Sequence, residues 1–268
     1  MFLDTVDALA TTAAAKAAFL KRSPGGFFVS SMMAGAFIGL GIILIFSLGA
    51  DVDPAYRALV MGASFGIALT LVVFAGADLF TGHTMFMTHG VLRKKASLGD
   101  LAACWSLSWL GNLAGCIFLA LIFVWGGGGA LLHSKSQLLM SVAAAKESAS
   151  VLSLVARATL CNWLVCLAIW MAARTSSDAT KCIVIWWCLF AFVGSGYEHS
   201  VANMTLLLIA LLGDHPESIT WAGLAYNLFW VTLGNIVAGA GIMGLGYWYT
   251  SRPATATLAA IPIAEAAE

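Results

Sequence analysis

Charge is scarce in this sequence: Asp, Glu, Lys and Arg supply only 10% of its 268 residues, against roughly 25% in an average soluble domain. Hydrophobic residues supply 61%, so water cannot be the solvent for most of the surface. Proline is scarce too, five in all, and none falls inside a long apolar run. Any break in those runs must therefore rest on glycine and on side chains that satisfy freed backbone groups. Formal net charge is zero, which leaves no electrostatic footprint for nucleic acid. The first residues lack a continuous apolar core, since Phe2, Leu3, Val6 and Leu9 alternate with Asp4, Asp7 and Lys16. Residues 1–26 read as a cytoplasmic amphipathic helix lying on the inner leaflet, and not as a cleavable signal peptide.

What remains is long and greasy. Six stretches reach about 20 residues, the length that crosses ~30 Å of hydrocarbon at 1.5 Å per residue: 27–50, 58–92, 101–126, 152–173, 182–212 and 219–249. Residues 27–250 are thus expected to form one six-helix membrane domain, followed by a loose tail over 251–268. Lys16, Lys21, Arg22, Arg93, Lys94, Lys95, Arg174, Lys181 and Arg252 fall on one side of the spans, and Arg57, Lys135 and Lys146 on the other. Cytoplasmic loops retain positive charge, which places both termini in the cytoplasm of a multi-pass protein of the bacterial inner membrane, surrounded by lipid. The six cysteines lie within spans, where they read as small packing residues and not as disulfides or metal ligands.

The chain repeats itself. Leu110-Gly111-Asn112 in the third span recurs as Leu233-Gly234-Asn235 in the sixth, and an acidic residue precedes each at a similar distance, Asp78 in the first case and Glu198 in the second. Two halves of three spans follow, about 27–126 and 152–249. An odd number of spans per half inverts one half in the membrane, a design that puts substrate sites near the midplane at interrupted helices. Two spans carry such interruptions at matching places: the second meets Asp78-Leu79-Phe80-Thr81-Gly82-His83, and the fifth meets Gly194-Ser195-Gly196-Tyr197-Glu198-His199. Irregular backbone at that depth requires cover from protein or from a water-filled path, so the two breaks are expected to face each other.

His199 is the sharpest chemical candidate, because an ionisable side chain inside a membrane is a functional suspect by default. Apolar surroundings favour its neutral ring and an arriving anion favours the charged one, so the ring can exchange a proton with that anion. A structural histidine joining two helices is the plainer alternative. Asp78 and Glu198 sit where half-helices begin and read as braces that cap free amides. Thr81 can offer a hydroxyl to a passing oxygen or merely cap. His83 reads as a cap, and His89, His133 and His215 as solvated residues near membrane surfaces. Lys146 and Arg157 lie toward the outer side, where positive charge concentrates anions. Phe65, Leu69, Leu79, Phe80 and Phe192 surround the breaks and fit apolar constrictions. Gly62-Ala63-Ser64-Phe65-Gly66 matches a nucleophile-elbow pattern, but that motif needs a strand-turn-helix context absent here.

The motifs Asp78-Leu79-Phe80-Thr81-Gly82-His83, Cys161-Asn162-Trp163-Leu164-Val165-Cys166, Tyr197-Glu198-His199-Ser200-Val201-Ala202-Asn203-Met204 and Leu233-Gly234-Asn235 resemble, in order and spacing, those of the formate/nitrite transporter family, and most closely its nitrite-channel branch. The resemblance runs to about residue 250. It implies an aquaporin-like six-helix protomer in a homopentamer, with a pore in each protomer that passes nitrite. It implies no cofactor, no resident metal and no catalytic residue. It matches His199 and Thr81 to the pore centre, Lys146, Asn162 and Asn235 to polar residues near it, Phe65 and Phe192 to an outer constriction, and Leu69, Leu79 and Phe80 to an inner one. Two positions depart from the common pattern, Asp78 for Glu and His83 for Asn. His83 fits the nitrite branch, and the shorter Asp78 is expected to brace more weakly or differently. Passage of formate or another small monocarboxylate is the alternative within the family. A membrane redox protein with His83 and His199 as haem ligands is the alternative from another class.

Overall fold

The computed structural model describes residues 2–252; of the tail over 251–268, residues 253–268 lie outside the described residues. The described residues form helices and connecting turns, without a strand. A surface helix α1 (Leu3–Arg22) leads into α2 (Pro24–Gly49). Next come α3 (Pro54–Ser64) and α4 (Gly66–Leu71), continued by a π-helical turn over Val72–Gly76, and then α5 (Phe80–Leu92) and α6 (Leu98–Trp125). The second half follows as α7 (Ser136–Glu147), α8 (Val151–Ala172), α9 (Asp178–Gly194), α10 (Ser200–Leu212), α11 (Trp221–Ile236), a wide turn over Val237–Leu245, and α12 (Gly246–Thr250). Among the described residues, five helical stretches are long and apolar enough to cross a membrane: Pro24–Gly49, Pro54–Gly76, Leu98–Trp125, Val151–Ala172 and Trp221–Thr250.

Local chemistry sets the starts. Ser23 and Asp53 cap α2 and α3 through side-chain oxygens, each followed by proline at the first helical position, where its missing N–H is no loss. Ser97 and Asp100 form a reciprocal capping box on α6, satisfying two amides that the helix cannot. Ser150, Ser177 and Thr220 cap α8, α9 and α11 in the same way.

Packing of α2 against α6 sets the centre of the first half. A Cβ added to Gly115 would collide with the backbone carbonyl of Met32, so the two backbones touch, as small residues allow in membranes.

The chain leaves helical geometry at two related places. Gly76 takes φ +78° and Gly196 φ +71°, a left-handed conformation that costs other residues about 1–2 kcal/mol. In each case the following amide reaches back five residues, Ala77 N to Val72 O at 3.0 Å and Tyr197 N to Phe192 O at 3.1 Å. Leu79 and His199 are then extended, and each precedes the first residue of a new helix, α5 and α10.

The amphipathic helix does not spend its apolar face on lipid. Val6, Leu9, Ala10 and Ala13 of α1 are buried, and Gly90 of α5 is so close that an added Cβ would meet Ala13 Cβ at 2.6 Å. Arg93 donates to Asp7, Lys95 to Thr11, and Arg174 to Thr5. Thr5, Asp7 and Thr11 of α1 thus tie the helix to the protein. His89 is also corrected, since it is not solvated. Its ring is fully buried, both its nitrogens lack a partner among the described residues, and it lies 5.9 Å from Trp170, which stacks on Tyr247.

Candidate functional site

Two asparagines hold the two extended segments in one pattern. Asn112 Oδ1 accepts the Phe80 amide at 2.9 Å, while its Nδ2 donates to Ser31 O at 2.7 Å and Asp78 O at 3.0 Å. Asn235 Oδ1 accepts the Ser200 amide at 3.0 Å, while its Nδ2 donates to Ala158 O at 2.9 Å and Glu198 O at 3.2 Å. One amide side chain thereby replaces the hydrogen bonds that each segment loses by leaving the helix. An orphaned buried backbone group would otherwise cost about 1–3 kcal/mol.

The acidic residues inside these segments are paired to match. Asp78 Oδ1 lies 2.7 Å from Lys16 Nζ of α1 and 3.1 Å from His83 Nε2, and its Oδ2 accepts Ser30 Oγ at 2.7 Å. Glu198 Oε2 lies 2.7 Å from Lys146 Nζ of α7 and accepts Asn203 Nδ2 at 2.6 Å. Asn203 also donates to Asn227, which donates to the Lys146 carbonyl. A lysine from a helix outside the apolar spans, Lys16 of α1 or Lys146 of α7, therefore neutralises each acid. Asp78 is not weakly held. Its shorter side chain is met by three donors.

Thr81 and His199 meet between the segments. Thr81 Oγ1 is 3.3 Å from His199 Nε2, and His199 Nδ1 accepts the Ala202 amide at 3.2 Å, so the ring caps α10. A ring nitrogen that accepts must carry the lone pair, which leaves the proton of the neutral ring on Nε2. Thr81 stands in the first turn of α5, so the positive ends of two helices converge here. Asn162 Nδ2 binds Thr81 O at 3.3 Å, Thr84 Oγ1 at 3.1 Å and Asn235 O at 2.7 Å.

Three cavities lie near this contact; two of them reach His199, and Thr81 lines none of the three. A small chamber of about 10 Å³ is lined by Ile38, Phe65, Leu69, Leu79, Phe192 and His199, among others. On the α7 side a cavity of about 450 Å³ carries Arg57, Lys146 and Arg157 and reaches Phe65, Phe192 and His199. On the α1 side a cavity of about 340 Å³ carries Lys16, His83 and Lys181 and reaches Leu69 and Leu79. Phe65 and Phe192, with ring centroids 5.6 Å apart in an edge contact, line both the chamber and the α7-side cavity, whereas Leu69 and Leu79 line both the chamber and the α1-side cavity.

One expected constriction residue is misplaced. Phe80 packs 6.5 Å from the Trp105 ring and lines none of these three cavities. It is the first residue of α5 and follows an extended residue, and successive side chains of extended chain point to opposite sides, so it turns away from the direction of Leu79. Asn162 and Asn235 lie beside the contact but spend their amides on backbone and threonine oxygens, so they position Thr81 and Ser200 instead of facing the cavities. Lys16, Ser30 and Asn203 were not foreseen. Asn203 lies within a quoted motif and repeats the five-residue spacing of Asp78 to His83; Lys16 carried no signal beyond its charge.

Comparison with known proteins matches this arrangement along almost its whole length. The family model described as Formate/nitrite transporter covers residues 4–249. Nitrite transporter NirC of Escherichia coli (strain K12) is 55% identical over 259 residues, spanning 97% of this chain and 96% of the relative. An FNT family ion channel of known structure superposes with a TM-score of 0.90 at 55% identity, covering 93% of this chain and 99% of that one. A pentameric formate channel with formate bound superposes with a TM-score of 0.72 at 28% identity, covering 86% and 98%. With four motifs, the full span of the model and near-complete coverage in agreement, the chain belongs to the formate/nitrite transporter family.

Proposed function

We propose that this chain passes nitrite across the bacterial inner membrane, with His199 and Thr81 at the centre of a pore in each protomer of a homopentamer. The family is one of transporters, and the chain is not an enzyme. The carrying observation is the 3.3 Å contact of Thr81 Oγ1 with His199 Nε2, near two cavities that each bear lysine or arginine. The 55% identity to a nitrite transporter supports nitrite over formate, and the pentameric neighbour supports the assembly. In this reading six crossings form two inverted halves in an aquaporin-like protomer. α4 with α5, and α9 with α10, then act as the interrupted second and fifth crossings. Residues 27–250 form the pore and α1 lies on the cytoplasmic side with both termini.

An anion drawn in by Lys146, Arg57 and Arg157 meets a rim of phenylalanine before it meets any donor. At the centre it finds the His199 Nε2–H, the Thr81 hydroxyl and two helix N-termini. To give a proton away and remain neutral, the ring must first gain one at Nδ1 from water of the α7-side cavity, which both His199 and Ala202 line, and this breaks the Ala202 bond. That leaves an amide unpaired at about 1–3 kcal/mol. An anion about 4 Å away favours the imidazolium by about 4 kcal/mol at an effective dielectric near 20, which offsets that loss and works against the burial that favours the neutral ring. The Nε2 proton then moves to the anion, and a neutral acid crosses the leucine rim.

Nitrite flux into proteoliposomes tests the proposal. His199→Ala is expected to lower flux at least tenfold and to flatten its pH dependence, and unchanged flux with unchanged pH dependence would remove the ring from the mechanism. Formate offered in competition decides between the two anions, and preferential formate flux would overturn the nitrite assignment.

A further inference from the structure

We propose that His83, oriented by Asp78, is a second proton-exchange group at the α1-side mouth, where a neutral acid that has crossed the chamber gives up its proton and becomes an anion again. This rests on the pore reading above and adds a site to it.

The ring is 2% exposed, yet it lines the α1-side cavity together with Lys16 and Lys181. Its Nε2 faces Asp78 Oδ1 at 3.1 Å. That carboxylate has the Lys16 ammonium at 2.7 Å and accepts the Ser30 hydroxyl at 2.7 Å, so it acts as an ionised acceptor and Nε2 carries the proton. Nδ1 of the neutral ring is then a bare lone pair, and it is buried with no partner among the described residues. Native structures seldom leave such an atom unpaired. An oriented imidazole with one nitrogen fixed on a carboxylate and the other free is the arrangement of a general base.

The other half of the molecule shows that bracing alone does not need histidine. Asn203 stands five residues after Glu198, as His83 stands five after Asp78, and its amide donates to that acid at 2.6 Å. An asparagine therefore suffices to hold the acid. Histidine adds a titratable nitrogen, and it does so at one mouth only.

The groups around the ring fit the step. Asp78 favours the imidazolium, and Lys16 from α1 and Lys181 from α9 oppose it. From α6, Cys104 lies in range of the Asp78 and Lys16 charges, and α2 contributes Phe27, 5.7 Å away. Within α5, His89 lies against Trp170. The acid transfers its proton to Nδ1, leaving an anion and an imidazolium. The two lysines attract the anion, and the imidazolium returns its proton to water on that face.

His83→Asn, which places the partner repeat's own residue in the brace, is the test, with His83→Gln as a second variant. Nitrite flux is recorded in proteoliposomes sorted by orientation, with pH varied on the α1 face alone between about 5.5 and 7.5. Wild-type flux is expected to depend on that pH, and the variants to run several-fold slower with that dependence lost. Variants that keep the wild-type dependence overturn this inference and leave the pore intact, whereas a wild type without nitrite flux overturns the pore reading itself. Should neither variant assemble, 15N spectra of the five histidines in the wild type decide. A carboxylate-bonded ring that gains a proton when nitrite is added supports the proposal, and the absence of such a ring sinks it.

Discussion

Lys16 Nζ stands 2.7 Å from Asp78 Oδ1, so a helix outside the apolar spans supplies the counter-ion of a carboxylate buried beside the Thr81 turn. Removing one partner of a buried pair strands the other, at up to about 3–5 kcal/mol. The lysine side chain is 30% exposed, which lets water take over part of its role and lowers the expected loss to about 1–3 kcal/mol. Lys16→Ala should therefore lower the thermal midpoint of the purified protein, and adding Asp78→Asn should recover part of that loss. A double variant no more stable than the single one would show that the two charges do not act together.

Gly196 and Gly115 should fail for different reasons. Around Gly196 an added Cβ meets nothing within 4 Å, so Gly196→Ala is expected to cost only the left-handed backbone, about 1–2 kcal/mol. At Gly115 the obstacle is the Met32 carbonyl, backbone that cannot rotate aside, so Gly115→Ala should push α2 from α6 and cost more. Denaturation of both variants in one detergent ranks them, and an inverted order would refute the close α2–α6 approach.

Asn235→Ala frees the Ser200 amide and the Glu198 carbonyl, while the Ala158 carbonyl keeps its place in the α8 ladder. At about 1–3 kcal/mol for each buried group left unpaired, the start of α10 should loosen while the outer helices persist. Hydrogen exchange is expected to rise at residues 198–202 and nitrite flux to fall at least tenfold. Exchange unchanged at those amides would deny the asparagine its pinning role.

Much of this could be read from residue order, and the failures share one cause. The glycine and acid pairs Gly76 with Asp78 and Gly196 with Glu198 mark where the chain leaves its helices, because both residue types serve needs local to the backbone. Asn112 and Asn235 stood out because the repeat copies them. Lys16 did not, because its partner is 62 positions away and its helix has the alternation of a surface segment. His89 was misjudged for the same reason, since the Trp170 ring beside it is remote in sequence. Phe80 failed on direction: the chain enters α5 there, and the side on which a residue falls depends on the residue where helical geometry begins.

Phe192 carries the most discriminating prediction about how charge crosses. Its ring lies 5.9 Å from the His199 ring at an interplanar angle of 22°, and it borders both the chamber and the α7-side cavity. Phe192→Ala would join these spaces and admit water to His199. A hydrated anion loses less solvation at the centre than one squeezed between phenylalanines, so it has less need of a proton to proceed. The variant is therefore expected to conduct nitrite as charge, giving a current larger than wild type that depends less on pH. Electrical recording across a pH series measures both, alongside wild type at equal protein content. A variant current that stays small and keeps the wild-type pH dependence would show that the phenylalanine rim is not what forces protonation.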